Sequence, residues 1–315
     1  MRRDNNLPNA MLVGAPKCGT TAIARNLAQL NGVYVSPEKE PKYFSREYWQ
    51  ERCKGPGDGK AYLTKPRNLA EYMSLFKMAG DSTVVMECST DYLYYQQCAE
   101  KIYDICGDIK ILIVIRDPAE RAYSHYLQLV RDGRESLQFN DALMMENERI
   151  ALGYEYAWHY TACGMYFSAI CHFMGVFSNV YIVKYEDLLH DPLKAYGGIL
   201  NFLRLDSEEE LKSINLEARE NKSGVPKNKM MYAMLTGSTV KSLVGPLLRR
   251  EGARRIIKSL QAGFIDRPKI PASVLPQMRK TFRGDIDAVQ SLTGFDLSDW
   301  RSGDETYALR SGILP

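Results

Sequence analysis

The 315-residue chain carries 41 lysines and arginines against 38 aspartates and glutamates, a formal net charge of +3, with 45% hydrophobic residues. So even a balance excludes the global field that gathers nucleic acid or a polyanionic polymer, and any anion must be held by local basic clusters. The length is enough to bury a substantial core.

In chain order, the first residues, MRRDNNLPNAMLVG, contain no apolar core of an export signal. The apolar run Ala10 to Val13 leads through GAPKCGTT into a helix-like segment, Thr20 to Leu30, and then a short strand signal, GVYVS, from Gly32. Residues 51–68 are rich in glycine and proline and read as an exposed loop. Further strand signals are STVVMECS from Ser82, IKILIVIRD from Ile109 and VYIVKYEDL from Val180. Between and after them lie helical segments Pro118 to Arg131, Asn140 to Ala151, Gly164 to Phe177 and Pro192 to Leu203. Unalternating β-rich runs suit strands buried on both faces. Their alternation with helices predicts an α/β fold: a P-loop-like three-layer α/β/α arrangement around a central parallel sheet. From about 205 to 270 the strand signal stops, and an acidic patch at Glu208 to Glu210 gives way to the basic segment LLRREGARRIIKSL. With no repeat and no boundary signal, residues 1–315 read as one domain whose part beyond about 205 is mainly helical or irregular.

Seven cysteines, at 18, 53, 88, 98, 106, 163 and 171, form no C-x-x-C pair. An odd number scattered through apolar segments predicts reduced, mostly buried thiols and a cytoplasmic setting. No window reaches membrane-spanning length, so no membrane partner is expected.

The turn after the first strand is built for a phosphate, because unpaired N–H groups at a helix start carry partial positive charge. A nucleotide-hydrolysing P-loop places lysine directly after its second glycine; here Lys17 stands two positions before Gly19, and Thr20 and Thr21 follow it. Lys17 therefore points toward the 5′ end of a nucleotide while the N–H groups of Cys18, Gly19, Thr20 and Thr21 wrap a phosphate. A second motif, RDPAERAYSHYLQL, starts where the strand ILIVI ends. Ligands of open α/β sheets bind beyond the carboxyl ends of the strands, so Arg116 leaves on the side of the Lys17 turn, and Ser124 lies about two turns into the helix begun by Pro118. Arg121 either supports that site or pairs with Glu120 or Asp117.

Together, GAPKCGTTAI and R-D-P-x-x-R-x-x-S-x-Y resemble the two nucleotide signatures of sulfotransferases that use 3′-phosphoadenosine 5′-phosphosulfate (PAPS). The resemblance implies that the Lys17 turn holds the 5′-phosphosulfate, that Arg116 and Ser124 hold the 3′-phosphate, that PAP is the product, and that no metal takes part. It extends to ENKSGVPKNKMMYAML, where Lys222, Lys227, Asn228 and Lys229 would belong to a basic loop closing over the nucleotide, although arginine is more usual at 227 and 228. LSDW, ending at Trp300, resembles the C-terminal segment of bacterial members.

Sulfuryl transfer to an alcohol needs a base within hydrogen-bond reach of the hydroxyl. EKEPKYFS, Glu38 to Ser45, is similar to the segment that carries the glutamate base of the heparan sulfate type, which makes Glu40 the candidate, with Lys39 and Lys42 keeping it ionised. His125 is the rival; His159, His172 and His190 have no motif context. MECSTDYLYY departs from the heparan-type pattern E-K-S/T-P-x-Y by placing Cys88 where that pattern has lysine and Thr90 where it has proline. A missing cation argues for a small-molecule acceptor over a sulfated polysaccharide, in a pocket to which Tyr92, Tyr94 and Tyr95 contribute. A glycan acceptor, a P-loop kinase and a non-catalytic PAPS-binding module remain the alternatives.

Overall fold

The computed structural model describes residues 7–214, 225–226, 265–266 and 268–301. Five strands, β1 (Ala10–Gly14), β2 (Val33–Val35), β3 (Val84–Cys88), β4 (Lys110–Ile115) and β5 (Val180–Lys184), form one parallel sheet in the order β2-β3-β1-β4-β5. Helices cover both faces, giving the three-layer α/β/α fold. Every residue of β1 and β3 is buried, as is β4 beyond Lys110, so the apolar runs there are sandwiched as their composition predicts. The edge strands β2 and β5 are only half-buried along most of their length.

The strand order creates the binding position. After β1 the chain turns toward β2 at one edge, and after β4 it turns toward β5 at the other, so the ends of β1 and β4 flank the topological switch point. The amide of Ala15 donates to the Val114 carbonyl at 2.7 Å, which fixes the turn after β1 beside the exit of β4.

Two helices fall where local chemistry places them. Asp117 accepts from the N–H groups of Ala119 (2.8 Å) and Glu120 (3.3 Å), Pro118 opens the first turn, and the helix runs Pro118–Arg131. Asp191 and Pro192 repeat the device for Pro192–Leu203, with Asp191 accepting from Lys194 N–H at 3.1 Å. Elsewhere tertiary contacts move the boundaries. The Gly164–Phe177 expectation shortens to Phe167–Val176 because Asp285, on the helix Leu275–Thr293, accepts from the Tyr166 and Phe167 amides at 2.8 and 3.0 Å. Asn140–Ala151 is two helices, Phe139–Met144 and Glu146–Ala151; the buried Glu146 carboxylate is drawn to the amides of Thr161 and Ala162 (2.7 and 2.8 Å). The first helix is Thr20–Leu27, three residues shorter than its apolar pattern.

The loop across residues 51–68 is anchored through Asp58, whose carboxylate accepts from the amides of Gly55 (2.8 Å) and Glu155 (2.9 Å) and from Trp158 Nε1 (2.8 Å). Its anchor is thus buried although most of its neighbours are exposed. The long helix Leu275–Thr293 buries Met278, Phe282, Ile286 and Val289, a helical stripe, against Pro118–Arg131 and Phe167–Val176. Trp300, from LSDW, is buried too. The basic segment around 247–260 lies outside the described residues.

Gly14 ends β1 where the segment after β3 crosses it. A Cβ there would stand 2.5 Å from Leu93 Cβ and 3.1 Å from the Thr90 carbonyl oxygen. Gly14→Ala is therefore expected to destabilise the protein by about 1–3 kcal/mol, read as a lowered urea midpoint at unchanged slope. An unchanged midpoint would mean that the crossing segment yields without cost.

Candidate active site

The turn between β1 and the Thr20–Leu27 helix holds unusual backbone. Lys17 has φ 73° and Gly19 φ 81°, and the helix opens with no side-chain cap and no acidic residue in its first turn. Glycine is required at 19 for a second reason: a Cβ would meet the Tyr185 ring at 2.8 Å. The result is a helix start whose amides face an open turn, an arrangement suited to a phosphate.

Side chains from the exit of β4 and the helix after it converge on this turn. Arg116 donates from Nη1 to the Lys17 carbonyl at 3.4 Å, contacts Glu120 at 3.0 Å and stacks its guanidinium on the Tyr185 ring at 4.9 Å. Lys17 Nζ donates to Gln128 Oε1 at 2.9 Å. Glu120, Ser124 and Gln128 recur every four residues along one side of the Pro118–Arg131 helix. The outer two hold Arg116 and Lys17, which sets the buried Ser124 between them. Gln128 and Tyr185 were not among the site residues expected from sequence; Gln128 was legible as the next four-residue step from Ser124. Burial, then the charges of Arg131 and Arg116, brings the Lys17 ammonium down to about 7.

Arg121 does not pair with Glu120 or Asp117 among the described contacts. Fully buried, it donates to the Tyr160 carbonyl and to His125 Nδ1 (3.2 Å). His125, itself 3% exposed, is held well below the ordinary histidine range by burial and then by Arg121 and Lys17. Asp117, which a kinase reading would need for magnesium, spends its carboxylate on capping its helix and on Arg279 at 3.8 Å.

Across the switch point, the segment after β2 carries Glu40. One carboxylate oxygen accepts from Thr90 Oγ1 at 3.3 Å and the other lies 3.5 Å from Lys42 Nζ. Glu40 is 24% exposed and Lys42 only 5%. Both have positive φ, 52° and 55°; with Lys17 they make three of the four non-glycine residues in that region among the described residues. Such conformations cost about 1–3 kcal/mol each and persist where surrounding structure imposes them. Burial works to raise the Glu40 carboxyl, but Lys42, then Lys39 and Lys65, outweigh it and hold the group below the usual carboxylate range. The ionised state expected from the neighbouring lysines is met, because their charges outweigh burial.

Glu40 and the first turn of the Thr20–Leu27 helix share one cavity of about 300 Å³, lined by Thr20, Thr21, Lys39, Glu40, Cys88 and Thr90 among others. No histidine lines it. His159 bonds the Tyr94 hydroxyl (2.8 Å) and the Tyr154 carbonyl (3.1 Å), and His172 pairs with Glu100 at 2.7 Å. Tyr92, Tyr94 and Tyr95 do not line the cavity either: Tyr92 is fully buried on Glu87 (3.0 Å) and Tyr95 packs among aromatic rings. Lys222, Lys227, Asn228 and Lys229 lie outside the described residues. The neighbouring pair Val225–Pro226, antiparallel to Ile265–Asp266, rests against the Pro118–Arg131 helix that carries Ser124.

Residues 7–245 match the sulfotransferase domain. The chain belongs to the sulfotransferase domain family. Among solved structures it is similar to a sulfotransferase from Alicyclobacillus acidocaldarius, with a TM-score of 0.73 and 29% identity, covering 94% of this chain and 99% of that one. Among curated proteins this sulfotransferase-family chain is similar to heparan sulfate glucosamine 3-O-sulfotransferase 6 of Homo sapiens, 29% identical over 201 residues, 63% of this chain and 52% of that protein. It is also similar to the human 3-O-sulfotransferase 3B1, 26% identical over 206 residues, 63% of this chain and 46% of that protein. The chain thus spans about half the length of the curated relatives it matches.

With the Lys17 ammonium at about 7 in the free protein, it is largely neutral at pH 8, and a bound phosphate dianion favours its charged form. PAP binding at pH 8 is therefore expected to take up a proton, and affinity to fall as pH rises above 7. Calorimetry in buffers of different ionisation enthalpy measures the uptake, which Lys17→Met should abolish. Uptake that survives the substitution would remove Lys17 from the phosphate.

Proposed function

We propose that this protein transfers a sulfuryl group from PAPS to a hydroxyl, or an amino group, of a small-molecule acceptor and releases PAP, without a metal. The observation that carries the reading is the single cavity joining the uncapped helix start to Glu40. PAPS supplies a sulfuryl group already activated by its anhydride link to phosphate. The residues present fit it: Gly19, Thr20 and Thr21 offer backbone amides to the 5′-phosphate, beside Cys18, whose amide donates to the Ala15 carbonyl at 3.3 Å, and Arg116 and Ser124 suit the 3′-phosphate, with Lys227, Asn228 and Lys229 included on the family resemblance alone. As the acceptor oxygen bonds to sulfur and the bond from sulfur to the phosphate oxygen breaks, Glu40 receives the acceptor proton, and Lys17 faces the charge left on that oxygen.

A cavity of about 300 Å³ sits at the small end of ligand sites and supports a compact acceptor. So does Cys88, a neutral thiol in the cavity wall where the heparan-type pattern has a cation. A sugar hydroxyl is the second reading, favoured by the likeness to heparan sulfate glucosamine 3-O-sulfotransferases. Seven unpaired cysteines support a cytoplasmic setting, and among the described residues no helix is long and apolar enough to cross a membrane.

Arg116→Ala is expected to weaken PAP binding by roughly 10- to 100-fold, the loss of a charge-assisted bidentate contact. Equal affinity by titration calorimetry would remove Arg116 from the site.

For the chemistry, polar metabolite fractions screened with isotopically labelled PAPS identify the acceptor. Glu40→Gln is then expected to leave PAP affinity unchanged and lower turnover by about 10² to 10⁴, while His125→Ala retains turnover within about tenfold if it folds. A near-normal Glu40→Gln enzyme beside an inactive, folded His125→Ala enzyme would reassign the base. PAP binding without transfer to any fraction would favour a nucleotide-sensing module.

A further inference from the structure

Behind Glu40 lies a buried polar cluster that sulfuryl transfer, as described above, does not use. Lys42 Nζ donates to the Tyr156 hydroxyl at 2.9 Å and lies over the Tyr156 and Tyr62 rings at 4.7 and 5.0 Å. Its backbone is fixed as well: the amide donates to Ser89 Oγ at 2.9 Å, and the carbonyl accepts from Ser45 Oγ at 3.2 Å. Ser45 Oγ also reaches Asp91 Oδ2 at 2.8 Å, while Asp91 Oδ1, fully buried, has no hydrogen-bond partner among the described residues. A buried lysine ammonium carries a desolvation cost of several kcal/mol unless opposed by negative charge. Here two carboxylates oppose it, Glu40 in the cavity wall at 3.5 Å and the buried Asp91 through its charge.

We propose that Lys42, seated by Tyr156 and balanced by Asp91, is a positioning residue that orients the Glu40 carboxylate toward the acceptor. With one cation and two carboxylates, the cluster gains a proton on Glu40 during turnover without stranding a buried charge, because Lys42 remains opposed by Asp91. This rests on Glu40 being the base. The groups facing Glu40 are Lys42, Lys39, Lys65, Thr90, Asp91, Tyr156 and Cys88. Of the lysines, Lys42 is the one in direct contact, and Lys65 is committed to Glu38 and the Lys39 carbonyl.

The test needs no acceptor in its first arm. Protein labelled with ¹³C at the glutamate carboxyl is titrated by NMR, with the Glu40 signal identified by its loss in Glu40→Gln. Lys42→Met should move that signal's midpoint from below the ordinary glutamate value to above it, since burial then acts unopposed by the nearest cation. Tyr156→Phe, a smaller change for use if Lys42→Met fails to fold, should move it the same way by less. In the second arm, release of labelled sulfate from PAPS to water measures turnover: Lys42→Met should lower it about 10- to 100-fold in wild type and not at all in the Glu40→Gln background. An unmoved midpoint in the folded variants, or an equal loss in both backgrounds, overturns the role of Lys42. Normal turnover in Glu40→Gln with a midpoint still moved by Lys42→Met overturns Glu40 as the base, and with it the catalytic purpose of the coupling.

Discussion

Everything at the candidate site depends on one unmet demand: the opening amides of the Thr20–Leu27 helix, which no side chain caps. The fold keeps that demand in place. The Ala15 amide is tied to β4, Gly19 admits the Tyr185 ring where any side chain would collide, and Lys17 adopts a backbone that lysine disfavours. Capping the helix with a serine or aspartate would stabilise it by about 1 kcal/mol and occupy the donors a phosphate would use. The site exists because that stabilisation is forgone.

Around this point the charges are arranged in two layers of different character. On the proposed nucleotide side, Arg116 and Lys17 rest against Glu120 and Gln128, polar partners for which a phosphate would compete. On the proposed acceptor side, Glu40 leans on a lysine that is itself locked. The first layer can exchange partners; the second cannot. That division matches a site in which one charged ligand arrives and leaves while the group receiving a proton must stay where it is.

The sequence revealed what is local. The Asp–Pro starts of two helices, the unalternating strands and the displaced lysine of the turn each follow from neighbouring residues, and each stands where expected. What stayed hidden depends on distant partners. Asp285 caps a helix more than a hundred residues before it, and Glu146 breaks one to serve two distant amides. In sequence Lys42 is one of two lysines that keep Glu40 ionised, and only the enclosing tyrosines make it a buried cation. Of the tyrosines after β3, Tyr92 and Tyr95 fill the core, while Tyr94 lines a separate, smaller cavity of about 150 Å³ beside Ala15 and Pro16.

The left-handed backbone at Lys17, Glu40 and Lys42 has an evolutionary consequence. At Lys17 and Glu40 glycine would relieve the torsional penalty, so selection for thermal robustness alone would erode both side chains, whereas Lys42 is also held by its buried contacts with Tyr156, Tyr62 and Glu40. Random drift toward a sturdier protein and retention of the site therefore pull against each other at these codons. A laboratory lineage selected only for heat resistance would be a lineage drifting toward an inert scaffold, with its first losses at Lys17 and Glu40, two positions that contribute little to the hydrophobic core.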